Sequence, residues 1–414
     1  MNYQVGIIGI GRVGLPLGLS LTKNGVKTIG FDINEQVIEL VNNKKMPFKE
    51  TGYDELMTKI NFTATSDMSK IKEVENIIIT VGTPLLAHIE TDLTQLNAVL
   101  TGIAPFIQKG HNLILRSTVA PKTTWYVHHF LELKTGFKIG SDIFLSFCPE
   151  RIAEGKALEE LETLPQIIGS NDLQSGKKAE AVFSNLAKKI FHTDYTSAEL
   201  VKLFNNIYRY INFSISNQFA IIAENYHVNV YEILRMANHD YPRGQISSPG
   251  FTAGTCLRKD FGMINETNPY SDLLLNAWKV NEYIPRFLVE KLMLQTTIYG
   301  KTIGVLGYSF KNDTDDTRDS LVPKMIRYIS REVPKKLMIH EPNITGKLDG
   351  LFENESLQDT LKESDVIFIA LNHTAFKMNI AQIIADAKDD CWFVDYWNVS
   401  GTDKIIFNKK DFKK

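Results

Sequence analysis

A glycine-rich turn near the N-terminus places the strongest constraint on how this chain can fold. The sequence GIGRVG at residues 9–14 follows a short β-branched run, Gln4–Ile10, and precedes a helical stretch, Leu15–Asn24. Glycines at such a junction permit a tight turn and let a pyrophosphate approach the N-terminus of the helix. A second strand, Thr28–Phe31, ends in Asp32, whose carboxylate can bind a ribose 2′-hydroxyl and would repel a 2′-phosphate. The pattern predicts a doubly wound α/β domain that binds NAD in preference to NADP.

Three further apolar runs extend this predicted parallel sheet: Asn76–Val81, Asn112–Arg116 and Ile143–Phe147. In open α/β sheets the ligand lies outside the carboxyl ends of the strands. Polar residues there are site candidates by position, although a Thr or Ser at a strand end more often caps a helix or closes a turn. They are Thr83, Ser117, Thr118, Glu150 and Arg151. Two more strand-like stretches, Pro165–Ser170 and Lys189–His192, complete the first domain.

The middle of the chain has a helical pattern. Ser197–His227 contains no Gly or Pro and opens with a capping signal, Ser197 followed by Glu199. Lys202 and Asn206 are four residues apart, so they project from one helical face. They could present a cation and an amide to one substrate group, or they could be exposed residues without such a role. Long helices between two α/β domains often pair with a second copy, so we expect a homodimer.

The loop SSPGFTAGTCLRKD at residues 247–260 contains Cys256, one of three cysteines in the chain. Gly250 and Gly254 carry no Cβ and would let the backbone approach a ligand closely. A thiol at a helix N-terminus beside a cation such as Lys259 has a lowered pKa and becomes a nucleophile. Most free cysteines are instead small buried hydrophobes. The loop by itself leaves both interpretations open.

The C-terminal section repeats the α/β alternation on a smaller scale. Its apolar runs are Lys301–Gly307, Lys336–His340, Val366–Leu371 and Trp392–Val394. It lacks a full G-x-G-x-x-G, so we expect no second dinucleotide there. Lys311 and Arg318 follow its first strand and suit a phosphate-bearing ligand. The sequence thus predicts three domains, at residues 1–196, 197–298 and 299–414.

The composition excludes several classes of protein. A formal net charge of −2 gives no electrostatic case for binding nucleic acid or an anionic membrane. No apolar run reaches the ~18 residues of a membrane span. Three cysteines, an odd and sparse set, indicate a reducing cytoplasm without disulfides. The nine histidines show no paired ligand spacing, so no metal site is predicted.

Seven motifs, in order along nearly the whole chain, resemble those of the UDP-glucose/GDP-mannose dehydrogenase family. They are GIGRVGLP at 9–16, VGTP at 81–84, RSTV at 116–119, CPERIAEGKAL at 148–158, AELVKLFNN at 198–206, PGFTAGTCLRKD at 249–260 and GYSFKNDTDDTRDS at 307–320. The resemblance implies an NAD-dependent, four-electron oxidation of a nucleotide-sugar C6 hydroxyl to a carboxylate. It also implies an N-terminal NAD domain, a central helical dimerisation region and a C-terminal UDP-sugar domain, the two outer ones Rossmann-like.

The chemistry implied by the resemblance has Cys256 as its nucleophile. The first oxidation gives an aldehyde, and the second requires a tetrahedral adduct of that aldehyde. The Cys256 thiolate would supply the adduct as a thiohemiacetal, which becomes a thioester when the second hydride leaves. Lys202 and Asn206 would stabilise the oxyanion of the adduct.

Water must then release the product from the thioester, and the resemblance assigns three residues to this stage. Glu150 would be the general base, and Asp260, one helical turn beyond Cys256, could orient or activate water. Thr118 would hold a water near C6.

Positions and resemblance together divide the binding residues between the two ligands. Those for NAD are Gly9, Gly11, Arg12, Val13, Gly14, Asp32, Thr83, Pro84, Ser117, Thr118, Glu154 and Arg318. Those for the UDP-sugar are Glu150, Arg151, Lys202, Asn206, Arg243, Phe251, Gly254, Phe310 and Lys311. By the resemblance Glu154 lines the nicotinamide side, and Arg243 reaches a substrate phosphate across the dimer.

Departures from the family pattern bear on the sugar. The sequence CPERI at 148–152 resembles the branch that acts on UDP-N-acetylhexosamines, either the manno or the gluco epimer. Thr252 and Ala253 replace the common double glycine, and Asp395–Asn398 lacks an arginine with which many members contact the sugar nucleotide. We expect a UDP-N-acetylhexosamine 6-dehydrogenase of polysaccharide or glycan synthesis. The alternatives are a UDP-glucose 6-dehydrogenase and a non-catalytic nucleotide-sugar binder.

Overall fold

The computed structural model describes residues 1–86, 90–266, 268 and 272–412, and at residues 255–258 it describes the backbone alone. Contacts divide the chain into two units. The N-terminal unit comprises Met1–Asn206 and Lys259–Pro269, and the C-terminal unit comprises Ile207–Arg258 and Tyr270–Lys414. The division into three domains at residues 196 and 298 stays a prediction.

The N-terminal unit is built on a sheet that we call the first sheet. Its strands are β1 Tyr3–Ile8, β2 Thr28–Phe31, β3 Thr63–Thr65, β4 Val74–Ile79, β5 Asn112–Leu115, β6 Phe144–Phe147, β7 Gln166–Gly169 and β8 Ile190–Thr193. Within the described residues they lie in the order β3-β2-β1-β4-β5-β6-β7-β8. Neighbouring strands pair in parallel except β6 with β7, which are antiparallel. Strand β3 was not predicted, because three residues are too few to show a period.

Helices alternate with these strands along the chain. They are α1 Gly14–Lys23, α2 Glu35–Asn42, α3 Tyr53–Lys59, α4 Thr94–Ile103, α5 Thr123–Thr135, α6 Ala157–Thr163 and α7 Leu173–Phe183. Strands β1, β2, β4 and β5 are largely buried, as expected of parallel strands covered on both faces.

The long helix α8, Tyr195–Asn225, begins two residues before its predicted start. The predicted cap at Ser197 is wrong, because Asp194 accepts hydrogen bonds from the backbone N–H of Ser197 at 2.9 Å and from its hydroxyl at 2.6 Å. Glu199 is buried and accepts instead from the N–H groups of Lys122 and Thr124, both at 2.7 Å. It therefore binds the N-terminus of α5 rather than its own, where a carboxylate is favoured.

Between α8 and the second sheet lie three helices: α9 Val230–Asn238, α10 Thr255–Asn265 and α11 Asp272–Met293. Tyr208, Ile215, Phe219, Ile222 and Tyr226 of α8 are exposed and recur at spacings of three, four and seven. Such a stripe suits a partner helix, but the homodimer stays a prediction. Among the helices in the described part of the chain, none has the length and apolar character of a membrane span.

The C-terminal unit contains a second sheet. Its strands are β9 Thr302–Leu306, β10 Lys336–His340, β11 Val366–Ile369, β12 Trp392–Val394 and β13 Ile406–Asn408, accompanied by α12 Val322–Arg331, α13 Leu357–Glu363 and α14 Thr374–Asp386. The order in the described chain is β10-β9-β11-β12-β13. All pairs are parallel except β12 with β13, and β13 is a further strand that was not predicted. The α/β fold with two Rossmann-like sheets, separated in the chain by a helical region, is confirmed.

Candidate active site

The glycine turn between β1 and α1 has the shape that a dinucleotide requires. A Cβ on Gly14 would lie 2.1 Å from the carbonyl oxygen of Gly9, so only glycine fits at position 14. Gly9 itself has φ +90°, which favours glycine. Around the place where a Cβ on Gly11 would stand, no described atom lies within 4 Å apart from those of Gly11 and its two chain neighbours. This open space beside the N-terminus of α1, which begins after Val13, fits a pyrophosphate.

Asp32 lies at the end of β2, next to this turn. Its Oδ2 accepts a hydrogen bond from Ile10 N at 2.9 Å, and its Oδ1 accepts from Asn34 N at 3.0 Å. The carboxylate is thereby fixed but only half-buried. A fixed, accessible carboxylate at this point fits the ribose hydroxyls of a dinucleotide.

The segments after β4 and β5 are joined by hydrogen bonds from hydroxyl side chains to backbone carbonyls. Thr83 donates to the carbonyl of Thr118 and accepts from Lys259 Nζ at 3.3 Å. Ser117 Oγ donates to the carbonyl of Val81 at 2.7 Å. Pro84 comes directly after Thr83. These predicted cofactor contacts therefore lie together, and the hydroxyls of Thr83 and Ser117 already have backbone partners.

Arg12 connects the glycine turn to the loop after β6. Its Nη1 lies 2.6 Å from Glu154 Oε1, and its guanidinium lies 5.1 Å from the centre of the Phe48 ring. The loop is held from its other side by the buried Glu50, which accepts from the N–H groups of Gly155 and Ala157 at 3.0 and 3.2 Å. Two predicted cofactor residues, Arg12 and Glu154, are thus partners of each other.

Glu150, at the end of β6, is buried and fully occupied. Its Oε2 accepts from Arg116 Nε at 2.9 Å and also pairs with the Nη2 of that guanidinium. Its Oε1 accepts from the N–H groups of Arg151 and Ile152 at 2.7 and 2.9 Å. The guanidinium of Arg151, a predicted substrate contact, donates to the carbonyl of Pro165.

Arg116 is a residue for which the sequence reasoning found no role. It directly follows the buried strand β5, and its Nη1 donates to Cys148 O at 3.1 Å and to Gln166 Oε1 at 3.0 Å. Its guanidinium also lies 4.9 Å from the ring of Phe183. An arginine at the end of an apolar run signals a buried charge that needs a partner, which was the clue available in the sequence.

Asp260 of α10 carries a fully buried carboxyl group in the N-terminal unit. Its Oδ2 accepts from Asn206 Nδ2 at 2.5 Å. Its Oδ1 finds no hydrogen-bond partner among the described residues. Burial raises the pKa of Asp260, while the charges of Lys202 and Lys259 and the bond from Asn206 act in the opposite direction. Three predicted catalytic residues, Lys202, Asn206 and Asp260, are therefore brought together.

Two of the three cysteines are unsuited to nucleophilic chemistry. Cys148 and Cys391 are both buried, and burial raises the pKa of each thiol to about 12. Each therefore remains a neutral thiol near neutral pH. Cys256 is the second residue of α10, and its side chain lies outside the described atoms. Along α10, position 256 precedes Asp260 by about one helical turn.

In the C-terminal unit the loop before α10 lines a cleft with a cavity volume of about 180 Å³. One wall is Thr252–Gly254, and another contains Arg327 and Lys324, whose Nζ lies 2.5 Å from Glu282 Oε2. Phe251, in the same loop, is buried in the hydrophobic core. Of the predicted substrate residues, Gly254 is the one at this cleft.

The remaining predicted residues of this unit are distributed around the turn after β9 and the loop after α9. Phe310 packs on Gly254, where a Cβ would lie 2.6 Å from the ring. The carbonyl of Lys311 accepts from Ser309 Oγ at 2.9 Å. Arg318 pairs with Asp316 at 2.5 Å. The exposed Arg243 lies with its guanidinium 4.7 Å from the Tyr241 ring.

Family models match most of the chain in three successive segments. Residues 3–187 match the NAD binding domain of the UDP-glucose/GDP-mannose dehydrogenase family, residues 196–283 its central domain and residues 304–402 its UDP binding domain. The chain belongs to the UDP-glucose/GDP-mannose dehydrogenase family. It is an NAD-dependent nucleotide-sugar dehydrogenase, so NAD as cofactor and a UDP-sugar-binding domain are confirmed, and the interpretation as a non-catalytic binder is wrong.

Relatives within this dehydrogenase family match over at least nine-tenths of the chain. A UDP-N-acetyl-D-mannosamine dehydrogenase of Pyrococcus horikoshii is 31% identical, covering 90% of each chain. One of Campylobacter jejuni is 29% identical, covering 90% of this chain and 96% of its own. The solved structure of the P. horikoshii enzyme superposes with a TM-score of 0.86 at 30% identity, covering 93% of both chains. That of a Staphylococcus aureus UDP-N-acetyl-mannosamine dehydrogenase gives 0.80 at 28% identity, covering 94% of this chain and 93% of its own.

Proposed function

We propose that this dehydrogenase oxidises the C6 hydroxyl of a UDP-N-acetylhexosamine, UDP-ManNAc or UDP-GlcNAc, to a carboxylate through a thioester on Cys256. The P. horikoshii and C. jejuni relatives are UDP-N-acetyl-D-mannosamine dehydrogenases, which supports this substrate class. The sequence PERI at 149–152 supports the same branch. On these grounds we rank UDP-ManNAc first, with UDP-GlcNAc and UDP-glucose as its competitors.

The proposed reaction removes four electrons from one carbon. Loss of a hydride and of the hydroxyl proton turns the alcohol into an aldehyde. The Cys256 thiolate adds to this aldehyde, and the resulting thiohemiacetal loses a second hydride to become a thioester. Water then breaks the carbon–sulfur bond, which releases the carboxylate and regenerates the thiol. NAD, when bound, supplies the hydride acceptor for each oxidation, so two NADH form per sugar.

The buried cluster of Asp260, Asn206 and Lys202 is the observation that carries this proposal. Burial raises the pKa of Asp260, and its Oδ1 has no hydrogen-bond partner among the described residues. A desolvated carboxylate with an unused oxygen takes a proton more readily than one in water. We assign to Asp260 the proton from the attacking water, and to Lys202 the electrostatic stabilisation of the oxyanion of the thiohemiacetal.

Glu150 is the competing candidate for this base. Both of its oxygens are occupied, by Arg116 on one side and by two backbone N–H groups on the other. Binding a water at either oxygen would break one of these contacts, and loss of the Arg116 contact would leave a buried charge uncompensated. We therefore assign Glu150 the role of holding the segment after β6 in place. Thr118 lies in the segment after the neighbouring strand, β5.

The residues that would hold NAD are indicated by the geometry of the glycine turn. The open space at Gly11 would take the pyrophosphate, and the half-buried carboxylate of Asp32 would bind the ribose. The Arg12–Glu154 pair connects this turn to the loop after β6, so it would border the cofactor. A contact from Arg318 to the cofactor and one from Arg243 to substrate remain part of the proposal.

A substrate panel followed at the NADH absorbance tests the proposal. We expect two NADH per UDP-ManNAc or UDP-GlcNAc, and turnover of UDP-glucose alone would contradict the substrate class. Cys256→Ala should abolish carboxylate formation, while the matched control Cys391→Ala should retain it. Asp260→Asn should lower kcat by about 100-fold or more. Carboxylate formed by Cys256→Ala at the parent rate would exclude the covalent mechanism.

A further inference from the structure

Two aromatic rings from the second sheet lie against the loop that precedes α10. A Cβ on Gly250 would lie 2.3 Å from the ring of Trp397, and a Cβ on Gly254 would lie 2.6 Å from the ring of Phe310. Trp397 comes after β12 and Phe310 after β9, and both strands run parallel to β11. Both rings therefore come from the carboxyl ends of parallel strands, and they lie against two glycines of the loop that are four residues apart.

A buried amide holds the first of these glycines by its backbone. The Oδ1 of Asn217, in α8, accepts from Gly250 N at 3.0 Å and from the hydroxyl of Tyr396 at 2.9 Å. Its Nδ2 donates to Asn281 Oδ1, in α11, at 2.9 Å. All of these side chains are buried. A buried polar network whose members are satisfied fixes the groups that it joins.

The ring of Trp397 is held independently of the loop. Its Nε1 donates to the carbonyl of Ala370, at the end of β11, at 2.8 Å. Because the indole is anchored to the sheet, a side chain at position 250 would displace the loop rather than the ring. Two adjacent residues therefore fix the position of Gly250. Tyr396 acts through Asn217, and Trp397 packs directly against the glycine.

The position of Gly250 matters because the next residues of the loop form part of the cleft and then enter α10. Thr252–Gly254 line the cleft of about 180 Å³, and Gly254, with φ +97°, leads directly into Thr255, the first residue of α10. Cys256 is the next residue. A shift of the loop on the sheet edge therefore moves both a wall of the cleft and the first turn of the helix that bears the proposed nucleophile.

We propose that Tyr396 and Trp397 are positioning residues for the oxidation, which set the place of the loop on the sheet edge and thereby that of Cys256. The inference rests on the proposed role of Cys256. Misplacing a reacting group by about 1 Å can cost about 100-fold in rate. Neither residue takes part in the chemistry, so their effect should fall on kcat and on the reactivity of Cys256.

Tyr396→Phe is the first test, because it removes one hydroxyl and leaves the ring. We expect kcat to fall about tenfold with the KM for NAD unchanged, and the rate of Cys256 alkylation by iodoacetamide to change by a similar factor. Cys148 and Cys391 serve as internal controls, since burial raises the pKa of both thiols to about 12. The matched control is Tyr195→Phe, which removes a buried hydroxyl that donates to Leu145 O at 3.2 Å.

A second test uses the contact between Gly250 and Trp397. Gly250→Ala should lower kcat about 100-fold and Trp397→Ala about tenfold, and the two losses should not multiply in the double variant, because removing the indole makes room for the methyl group. Gly102→Ala is the control, because no described atom lies within 4 Å of the Cβ it would add. If Gly250→Ala fails to fold, the measurements on Tyr396→Phe still test the positioning role.

The outcomes separate this inference from the proposed function. A Tyr396→Phe protein with parent kcat and parent alkylation rate, less stable only to the extent that Tyr195→Phe is, would overturn the positioning role. So would a double variant in which the kcat losses of Gly250→Ala and Trp397→Ala multiply in full, since the two positions would then act independently. A parent enzyme that oxidises none of the UDP-sugars would instead refute the proposed function, and the alkylation rates would still judge the positioning role.

Discussion

In each sheet the turn after the first strand is held by the same pattern of hydrogen bonds, which we call the frame. The two turns differ in the space left beside that frame. In the N-terminal unit Gly9 N donates to Phe31 O, and in the C-terminal unit Gly307 N donates to His340 O, each at 2.8 Å. Both glycines have positive φ, +90° and +96°. In each case the acceptor is the last residue of the second strand, so the two turns are equivalent position by position.

The acidic residue after that second strand continues the equivalence. Asp32 accepts from Ile10 N at 2.9 Å, and Glu341 accepts from Tyr308 N at 2.8 Å. The other carboxylate oxygen of each accepts, at 3.0 Å, from the N–H two residues further along the chain. Both acids therefore fix the turn after the first strand.

What differs is the space left around the frame. Gly11 has open space beside it, whereas the equivalent Ser309 is buried. Asp32 is half-buried, whereas Glu341 is buried under His373, whose Nε2 lies 3.1 Å from the carboxylate. His373 Nδ1 accepts from a backbone N–H, so the donor to Glu341 is Nε2–H. The hydrogen-bond frame is therefore common to both turns, and only the first leaves open space and an accessible carboxylate beside it, the two features to which we assign dinucleotide binding.

Replacing Glu341 and Asp32 by their amides should give the largest difference in stability between the two turns. Glu341→Gln should lower the free energy of unfolding by about 3 kcal/mol, because an amide N–H₂ would face N–H donors in a buried site. Urea denaturation followed by tryptophan fluorescence measures this loss. The KM for NAD should stay unchanged.

Asp32→Asn is the matched change in the first sheet. We expect it to cost at most about 1 kcal/mol, because the site is half-exposed and one acceptor oxygen remains. The KM for NAD should rise about tenfold as the ribose contact weakens. If the two variants lost equal stability, the contrast between a structural and a ligand-binding acid would be refuted.

A pH series separates the two acids further. Burial alone would raise the pKa of Glu341, but the hydrogen bonds from His373 and from the N–H groups of Tyr308 and Asn343 hold it at about 2, against an ordinary 4.5. A depressed pKa contributes stability that is complete above about pH 4.5 and is lost as the pH falls towards 2. The difference in unfolding free energy between the parent and Glu341→Gln should therefore shrink by about 2 kcal/mol between pH 7 and pH 3. A constant difference would contradict the assignment.

The features that sequence predicted best are those formed by neighbouring residues. The glycine turn and Asp32 belong to one β-α-β segment, so their spacing specifies their geometry. The position of Lys202 and Asn206 on one face of α8 is set by helix periodicity in the same way. The absence of a full glycine motif after β9 led us to expect no second dinucleotide, which stays a prediction, and the turn there is filled by the buried Ser309.

The features that sequence missed depend on packing between distant segments. Arg116 and Glu150 pair across strand ends 34 residues apart, and Tyr396 reaches Asn217 across 179 residues. The cap of α8 was misplaced because Asp194, Ser197 and Glu199 all suit an N-terminus, and only the tertiary structure shows that Glu199 serves α5. Local patterns carry no information on which of several polar residues finds a distant partner.

The smallest effects are expected when Gly11, which leaves the first turn open, and Ser309, which fills the second, are each replaced by the other residue type. Gly11→Ser should raise the KM for NAD about tenfold without changing Tm, because its side chain enters space free of described atoms. Ser309→Gly should leave the KM for NAD unchanged and lower the unfolding free energy by about 1 kcal/mol, since it removes the 2.9 Å bond to Lys311 O and adds backbone freedom. Gly11→Ser with the parent KM would show that openness of the turn is not what distinguishes the two sites.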